Sequence, residues 1–270
     1  MIRKITYILF ISLLAYHGPL GAGTTGSEEL KSKDQSTTAN ECFEGFSRAM
    51  FKFNHGLDKV LFEPVAKGYR ALPVPIRKGT GNVVDNLRSL LTLSNNLLQG
   101  DFREAGNTAG RFAINTTVGI LGIWDPAQAL GLEKSGKEDF GQTLGVWGAE
   151  PGCYFVLPIL GPTTTRDAIG KVANIFIDPV YQITHNNEID NGVIGNSNYS
   201  EHNYYYYRAT GAVDFRAKNI ESFDSLEENS IDLYASLKSL YLQNRKQQIS
   251  NKKTTVETQD DSDWEEIDTN

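Results

Sequence analysis

Histidine, cysteine and basic residues are all scarce in this chain, and each scarcity removes a class of function. The 270 residues hold four histidines and two cysteines. Beyond the first 22 residues the histidines are His55, His185 and His202, and none has a second histidine four residues away, as a helical zinc motif would need. The cysteines, Cys42 and Cys153, lack metal-type spacing. No serine sits in a nucleophile-elbow pentapeptide. KGTGNVVD at 78–85 has only two of the three glycines of a dinucleotide fingerprint, and no strand precedes it. The carboxylates of Glu138-Asp139 and Arg166-Asp167 read as helix caps rather than as acid–base pairs. Neither an enzyme nor a cofactor is expected. The formal net charge of −7 argues against nucleic acid, which wants a basic face. No internal repeat is visible.

What is present starts with an export signal. Arg3 and Lys4 precede an apolar stretch at 5–16, and Leu20-Gly21-Ala22 offers small residues for cleavage after Ala22. Residues 1–22 read as a signal peptide and 23–41 as a flexible polar tether. A helical domain follows over 42–249. The last segment, 250–270, is polar and acidic and reads as a disordered tail with a lone Trp264. In an exported protein Cys42 and Cys153 can pair as a disulfide. Two small buried thiols are the alternative.

The domain reads as all-α. Phe43, Phe46, Met50, Phe53, Leu57 and Val60 recur every three or four residues, one stripe of an amphipathic helix. That stripe suits either a core face or a helix lying in a membrane interface. Pro64 is expected to end or kink the helix. Residues 76–99 read as one helix or two, because Gly79 and Gly81 interrupt the start, and Gly100 is a C-cap. Asp101 caps a helix carrying Phe102 and Phe112, and Asp125-Pro126 starts a short one. Helices are expected over 167–177, with Ile169, Val172, Ala173 and Phe176 inward, and over 204–223, with Tyr206 and Val213 on one side. The last helix is expected over 225–249, with Leu233, Leu237, Leu240 and Tyr241 inward. Residues 182–201 read as a loop. The tyrosines at 204–207 suit an interfacial aromatic belt or a core edge.

The least ordinary stretch is 138–167, EDFGQTLGVWGAEPGCYFVLPILGPTTTRD. Asp139 caps a short helix, and Thr164 or Thr165 caps another. Between them lies the apolar run 154–160 with Pro158 inside it. A central strand would not carry that proline, and the run is too short to cross a bilayer as a helix. It reads either as a buried loop or as the wall of an apolar passage that meets lipid. The passage reading assigns lining roles to Leu144, Val146, Trp147, Tyr154, Phe155, Leu157, Ile159 and Leu160. Asn82, Asn86 and Arg166 are the candidates for head-group contact. For Arg166, a salt bridge to a carboxylate such as Asp139 is the alternative.

FKFNHGLDKVLFEPVAKGYRALP (51–73), LLQGDFREAGNTAGRFAINTTVGILGIWDPA (97–127), EDFGQTLGVWG with YFVLPILGPTTTRD, and VDFRAKN (213–219) together resemble the MlaA/VacJ family. The resemblance covers roughly 42–245. It implies a ring of amphipathic helices around a small amphipathic channel, on the periplasmic side of the outer membrane at its inner leaflet. It implies removal of mislocalised phospholipid from the outer leaflet and delivery to a periplasmic lipid-binding shuttle protein. It also implies association with a trimeric porin, and no catalysed reaction. A periplasmic scaffold that binds a membrane protein without moving lipid is the second reading, and an exported lipid hydrolase the third. Family members carry a lipobox ending in the cysteine that is lipidated. Here Ala22 is followed by Gly23, so attachment without a covalent lipid is expected.

Overall fold

Side-chain caps set the helix boundaries, and most stand where the sequence predicts them. The computed structural model describes residues 39–185 and 201–250. The expected signal peptide, most of the expected tether, residues 186–200 and the expected tail from 251 lie outside the described residues. All the described residues belong to one compact unit. The chain order is β1 (Asn40–Glu41), α1 (Glu44–Leu57), a π-helical turn (Asp58–Phe62), α2 (Glu63–Arg70), α3 (Val74–Gln99) and α4 (Phe102–Thr117). Then come α5 (Pro126–Ala129), α6 (Phe140–Val146), β2 (Cys153–Leu157), β3 (Gly161–Thr164) and α7 (Thr165–Ile177). The described chain closes with α8 (Pro179–His185), α9 (Glu201–Lys218), α10 (Ile220–Asn229) and α11 (Leu233–Ile249). The Asp101 carboxylate accepts from the Glu104 N–H at 3.0 Å. Asp125, Asp139, Thr164 and Asp232 cap α5, α6, α7 and α11 in the same way. Gly100, at φ 77°, closes α3 in the left-handed conformation.

Several expectations change. Residues 76–99 form one helix, and its early glycines serve close packing. A Cβ on Gly81 would stand 3.0 Å from the Lys218 Nζ and 3.3 Å from the Asp214 carboxylate. Pro64 does not end its helix. The Glu63 N–H bonds the Asp58 carbonyl five residues back. The wider turn absorbs the missing proline donor and the helix runs on. Of the loop expected over 182–201, residues 182–185 belong to α8 and Glu201 to α9, and the rest lies outside the described residues. The two long C-terminal helices are three, broken at Asn219 and at the extended Ser230.

The largest change is a sheet of three strands inside the helical frame. β1 runs parallel to β2, with Asn40 opposite Cys153. β2 and β3 form an antiparallel hairpin, with Tyr154 opposite Thr164 and Leu157 opposite Gly161. The apolar run 154–160 is therefore largely strand and turn. The proline rule still holds, because β2 ends at Leu157 and Pro158 lies in the turn. Alternation along β2 buries Tyr154 and Val156 in a small core with Ala39 and Tyr234. Cys42 and Cys153 are joined as a disulfide, with their Cα atoms 5.5 Å apart.

The interior is polar and the exterior apolar. Among the described residues, nineteen polar or charged residues are buried against twelve apolar ones, five of them alanine. The phenylalanines of the α1 stripe face outward: Phe43, Phe46 and Phe53 are more than half exposed, Met50 packs against the small core, and the buried residue of that helix is Ser47. On α7, Ile169, Val172 and Phe176 were expected inward and face out. Arg166, Asp167 and Gly170 are buried instead. Leu240, Tyr206 and Phe102 are likewise exposed. Polar side chains fill the inside because they satisfy one another. The Thr143 hydroxyl donates to Asn95 Oδ1 at 2.8 Å, and Asn95 Nδ2 donates to the Leu91 carbonyl at 2.9 Å.

α6 and α7 cross at glycines. A Cβ on Gly170 would stand 2.3 Å from the backbone nitrogen of Gly141. Gly170→Ala therefore forces the helices apart and is expected to lower stability by about 1–3 kcal/mol. Gly106→Ala, where an added Cβ meets nothing within 4 Å, should lose nothing. Denaturation midpoints of the two variants check this; equal midpoints would mean that the crossing is not tight.

Candidate functional site

One arginine on the last helix fixes the central stretch. From α11, Arg245 Nη1 donates to Asp139 Oδ2 at 2.7 Å and Nη2 to Asp167 Oδ1 at 2.8 Å. Arg166 donates to the same Asp167 oxygen at 2.9 Å, and the Tyr241 hydroxyl donates to Oδ2. Asp139 caps α6 and Asp167 sits in the first turn of α7, so both carboxylates lie at positive helix ends. Burial alone would raise the Asp167 carboxyl. The hydrogen bonds and charge of Arg245, with Tyr241 and Arg166, outweigh it and hold the group at about 2. Asp139 is lowered in the same way, its burial outweighed chiefly by Arg245. Beside this lock lies a cavity of about 410 Å³, bordered by Arg166, Arg245, Lys246, Leu242 and Ile249.

A second, smaller cleft lies between α3 and α4 and is closed by residues 134–137. Its cavity is about 60 Å³. Arg111 Nη2 pairs with Asp125 Oδ2 at 2.5 Å. Asn115 donates to the other oxygen of Asp125 at 2.8 Å and accepts from the Ala127 N–H at 3.1 Å. Asn86 Nδ2 donates to the Thr116 hydroxyl at 2.9 Å, and Asn82 Nδ2 to the Ile123 carbonyl at 3.0 Å. Lys134 and Lys137 both reach Asp85, at 2.6 and 2.9 Å. Burial pushes the Asp85 carboxyl up, and the two lysines overcome it and hold it at about 2. The adjoining loop presents Val118, Ile120, Leu121 and Trp124 outward. Ile120 and Leu121 take φ of 48° and 57°, a strained conformation for such side chains.

The structure does not gather the sequence-predicted lining residues into one wall. Asn82 and Asn86 share the smaller cleft. Arg166 borders the larger cavity and spends its charge on Asp167, not on Asp139. Tyr154 is core. Phe155 and Leu157 are half-buried on the other side of β2, where Leu157 accepts from Asn54 Nδ2 at 2.8 Å. Ile159 and Leu160 stand exposed in the hairpin turn. Leu144 is half-buried, and Val146 and Trp147 are exposed at the end of α6, with Trp147 Nε1 donating to the Leu98 carbonyl at 3.1 Å. Sequence reasoning missed Arg245, Arg111 and Arg88 as site residues. Near the end of α11, Arg245 stands where a positive charge suits the helix dipole, and that alone gives it no site role. The two carboxylates it holds, the cap Asp139 and the first-turn Asp167, were the available signal, since a buried pair of carboxylates needs a cation.

Comparison with known proteins places this arrangement. Residues 39–248 match the family model described as MlaA lipoprotein. A Haemophilus influenzae protein described as the intermembrane phospholipid transport system lipoprotein MlaA is 32% identical over 224 residues, 82% of this chain and 83% of that one. The Escherichia coli protein of the same description is 34% identical over 161 residues, 58% of this chain and 61% of its own. An uncharacterized Rickettsia prowazekii protein is 39% identical over 146 residues; they span 53% of this chain and 58% of that relative. A solved structure concerned with maintenance of bacterial outer membrane lipid asymmetry superimposes with a TM-score of 0.64 at 28% identity, covering 78% of this chain and 99% of the other. The chain belongs to the MlaA lipoprotein family.

Proposed function

We propose that this protein is a phospholipid transport component of the outer membrane. It lies at the inner leaflet, takes mislocalised phospholipid from the outer leaflet and passes it to a periplasmic carrier, so keeping the membrane asymmetric. The observation that carries the reading is the reversed burial. A polar, hydrogen-bonded interior offers a route to lipid head groups, and the wide apolar exterior needs an apolar solvent. No helix among the described residues is long and apolar enough to cross a membrane. The helices therefore lie along the bilayer with their apolar faces in the acyl boundary. A ring of such helices around a small channel is the arrangement this route requires. A trimeric porin and a periplasmic lipid-binding shuttle protein are the partners that transfer in this direction needs. The outward apolar faces supply attachment to the bilayer.

The test is loss and rescue of lipid asymmetry. A deletion strain should expose phospholipid on the cell surface, and the full chain should clear it. Export without clearance would overturn the reading and favour a scaffold. Attachment has its own test. Phe46→Asp with Phe53→Asp should leave the fold intact, because both side chains already face out. The variant should be released by carbonate washing, since an ionised carboxylate opposes burial in the acyl region. Lys52→Asp should stay bound. Unfolding of the double variant would show that these phenylalanines are core.

A further inference from the structure

The smaller cleft contains a cation that no acidic side chain among the described residues pairs with. Arg88, on α3, borders the cavity and makes no ion pair among the described residues. Its Nε is fully buried and has no hydrogen-bond partner. A buried guanidinium donor left unmet is costly, and such orphans mark places where a ligand supplies the acceptor. The other charges around it are already committed. Asp85 is held by Lys134 and Lys137, Asp125 by Arg111 and Asn115, and Glu104 accepts from the Ser135 hydroxyl. The border carries four cations, Arg88, Arg111, Lys134 and Lys137, against two carboxylates, Asp85 and Asp125. A positive remainder inside a chain of net charge −7 is a local feature with a local cause.

The geometry points to a phosphate-oxyanion site in this cleft, with Arg88 as the principal donor and the phosphodiester of a glycerophospholipid as its ligand. The inference rests on the lipid-transport reading and assigns it a place. Three further observations support it. The cavity, at about 60 Å³, is several times the ~10–15 Å³ that one water needs. Thr92 adds a hydroxyl to the same border; it accepts from the Glu138 N–H and keeps its own proton to donate, so an oxyanion would meet a neutral donor as well as charge. Asn86 fastens the wall of the cleft to Thr116 at the end of α4, and Asn82 fastens it to Ile123 in the loop that follows, whose Val118, Ile120 and Leu121 face outward. An oxyanion binder beside an apolar surface matches a molecule with a phosphate head and acyl tails. Free inorganic phosphate would need only the first half.

The experiment uses the full chain in detergent, titrated with dihexanoyl phosphatidylglycerol and separately with inorganic phosphate, and read by calorimetry. Wild type should bind the short-chain lipid, and inorganic phosphate should compete at least about tenfold more weakly. Arg88→Gln should weaken lipid binding about ten- to a hundredfold, the effect of one lost charge-assisted hydrogen bond. Arg88→Lys, which keeps the charge and loses the planar fork, should weaken it less than Arg88→Gln, and decides the matter if Arg88→Gln fails to fold. Arg103→Gln, at an exposed residue that borders neither cavity, should change nothing. Unaltered lipid affinity in the cleft variants would overturn the assignment. So would phosphate binding as tightly as lipid, which would make this a free-phosphate site. Surface-phospholipid clearance separates the two levels. If wild type clears lipid and the cleft variants clear it equally, the cleft falls and the transport reading stands; if wild type does not clear lipid, the transport reading falls.

Discussion

Arg245→Gln is expected to lower stability by about 3–5 kcal/mol, because it leaves two carboxylates facing each other without their shared cation. Arg245 contacts Asp139 and Asp167 through three of its nitrogens. Its side chain is largely buried, and the Asp167 side chain almost entirely. Glutamine can donate to one of these oxygens but supplies no charge. The remaining partners, Arg166 and Tyr241, serve only Asp167. Asp139 would then be an N-cap carboxylate without its arginine. Chemical denaturation in detergent measures the loss, and a change below about 1 kcal/mol would show that the lock is surface-like. The pH dependence has a definite sign. Asp167 and Asp85 titrate at about 2, below the ordinary carboxylate range, and Asp139 is lowered as well. Their stabilisation is complete above the unfolded pKa of about 4 and is lost as pH falls from about 4 to about 2. Glu138, raised by burial, acts in the opposite sense nearby. The wild type should therefore melt in acid over that window, and Arg245→Gln should flatten the dependence.

How far the sequence discloses this fold depends on whether the signal is local. N-caps are local, and Asp101, Asp125, Asp139, Thr164 and the C-cap Gly100 were all legible from single residues. Helical periodicity is local too, so the stripe from Phe43 to its partners on α1 was read correctly as one face. Which way that face points is not local. The rule that apolar faces turn inward assumes water outside. Ile169, Val172 and Phe176 obey the periodicity and break the rule, because the interior is already filled by Asn95, Thr143 and Arg166. The hairpin was hidden for a related reason. Pro158 argues against a central strand, yet it sits one residue past the end of β2, and the partner Gly161–Thr164 looks like a helix lead-in. The candidate site shows the same divide. Asn82 and Asn86 were legible as polar residues one turn apart on α3, whereas Arg88 and Arg111 acquire meaning only when α3 and α4 are side by side.

Removing the Cys42–Cys153 disulfide is expected to lower stability by about 4–5 kcal/mol, the loop-entropy value for a closed loop of this size, since the two residues are 111 apart in sequence. For a protein of this length that corresponds to a fall in Tm of about 8–15 °C. The bond has a structural task that its surroundings cannot take over. β1 is only two residues long, and it holds to β2 by a short parallel pairing. Glu41 adds hydrogen bonds from the Tyr234 hydroxyl and the Lys238 ammonium. Without the covalent link, Ala39 and β1 can fray from the Tyr154–Tyr234 core, and the edge of β2 opens to solvent. Cys42→Ser with Cys153→Ser avoids a free thiol and isolates the bond. Its Tm in detergent, compared with oxidised wild type and with wild type under reductant, measures the effect. Reductant should lower wild type to the level of the double variant and leave the double variant unchanged. A double variant that melts within about 2 °C of oxidised wild type would mean that β1 and its hydrogen bonds hold this end of the chain unaided.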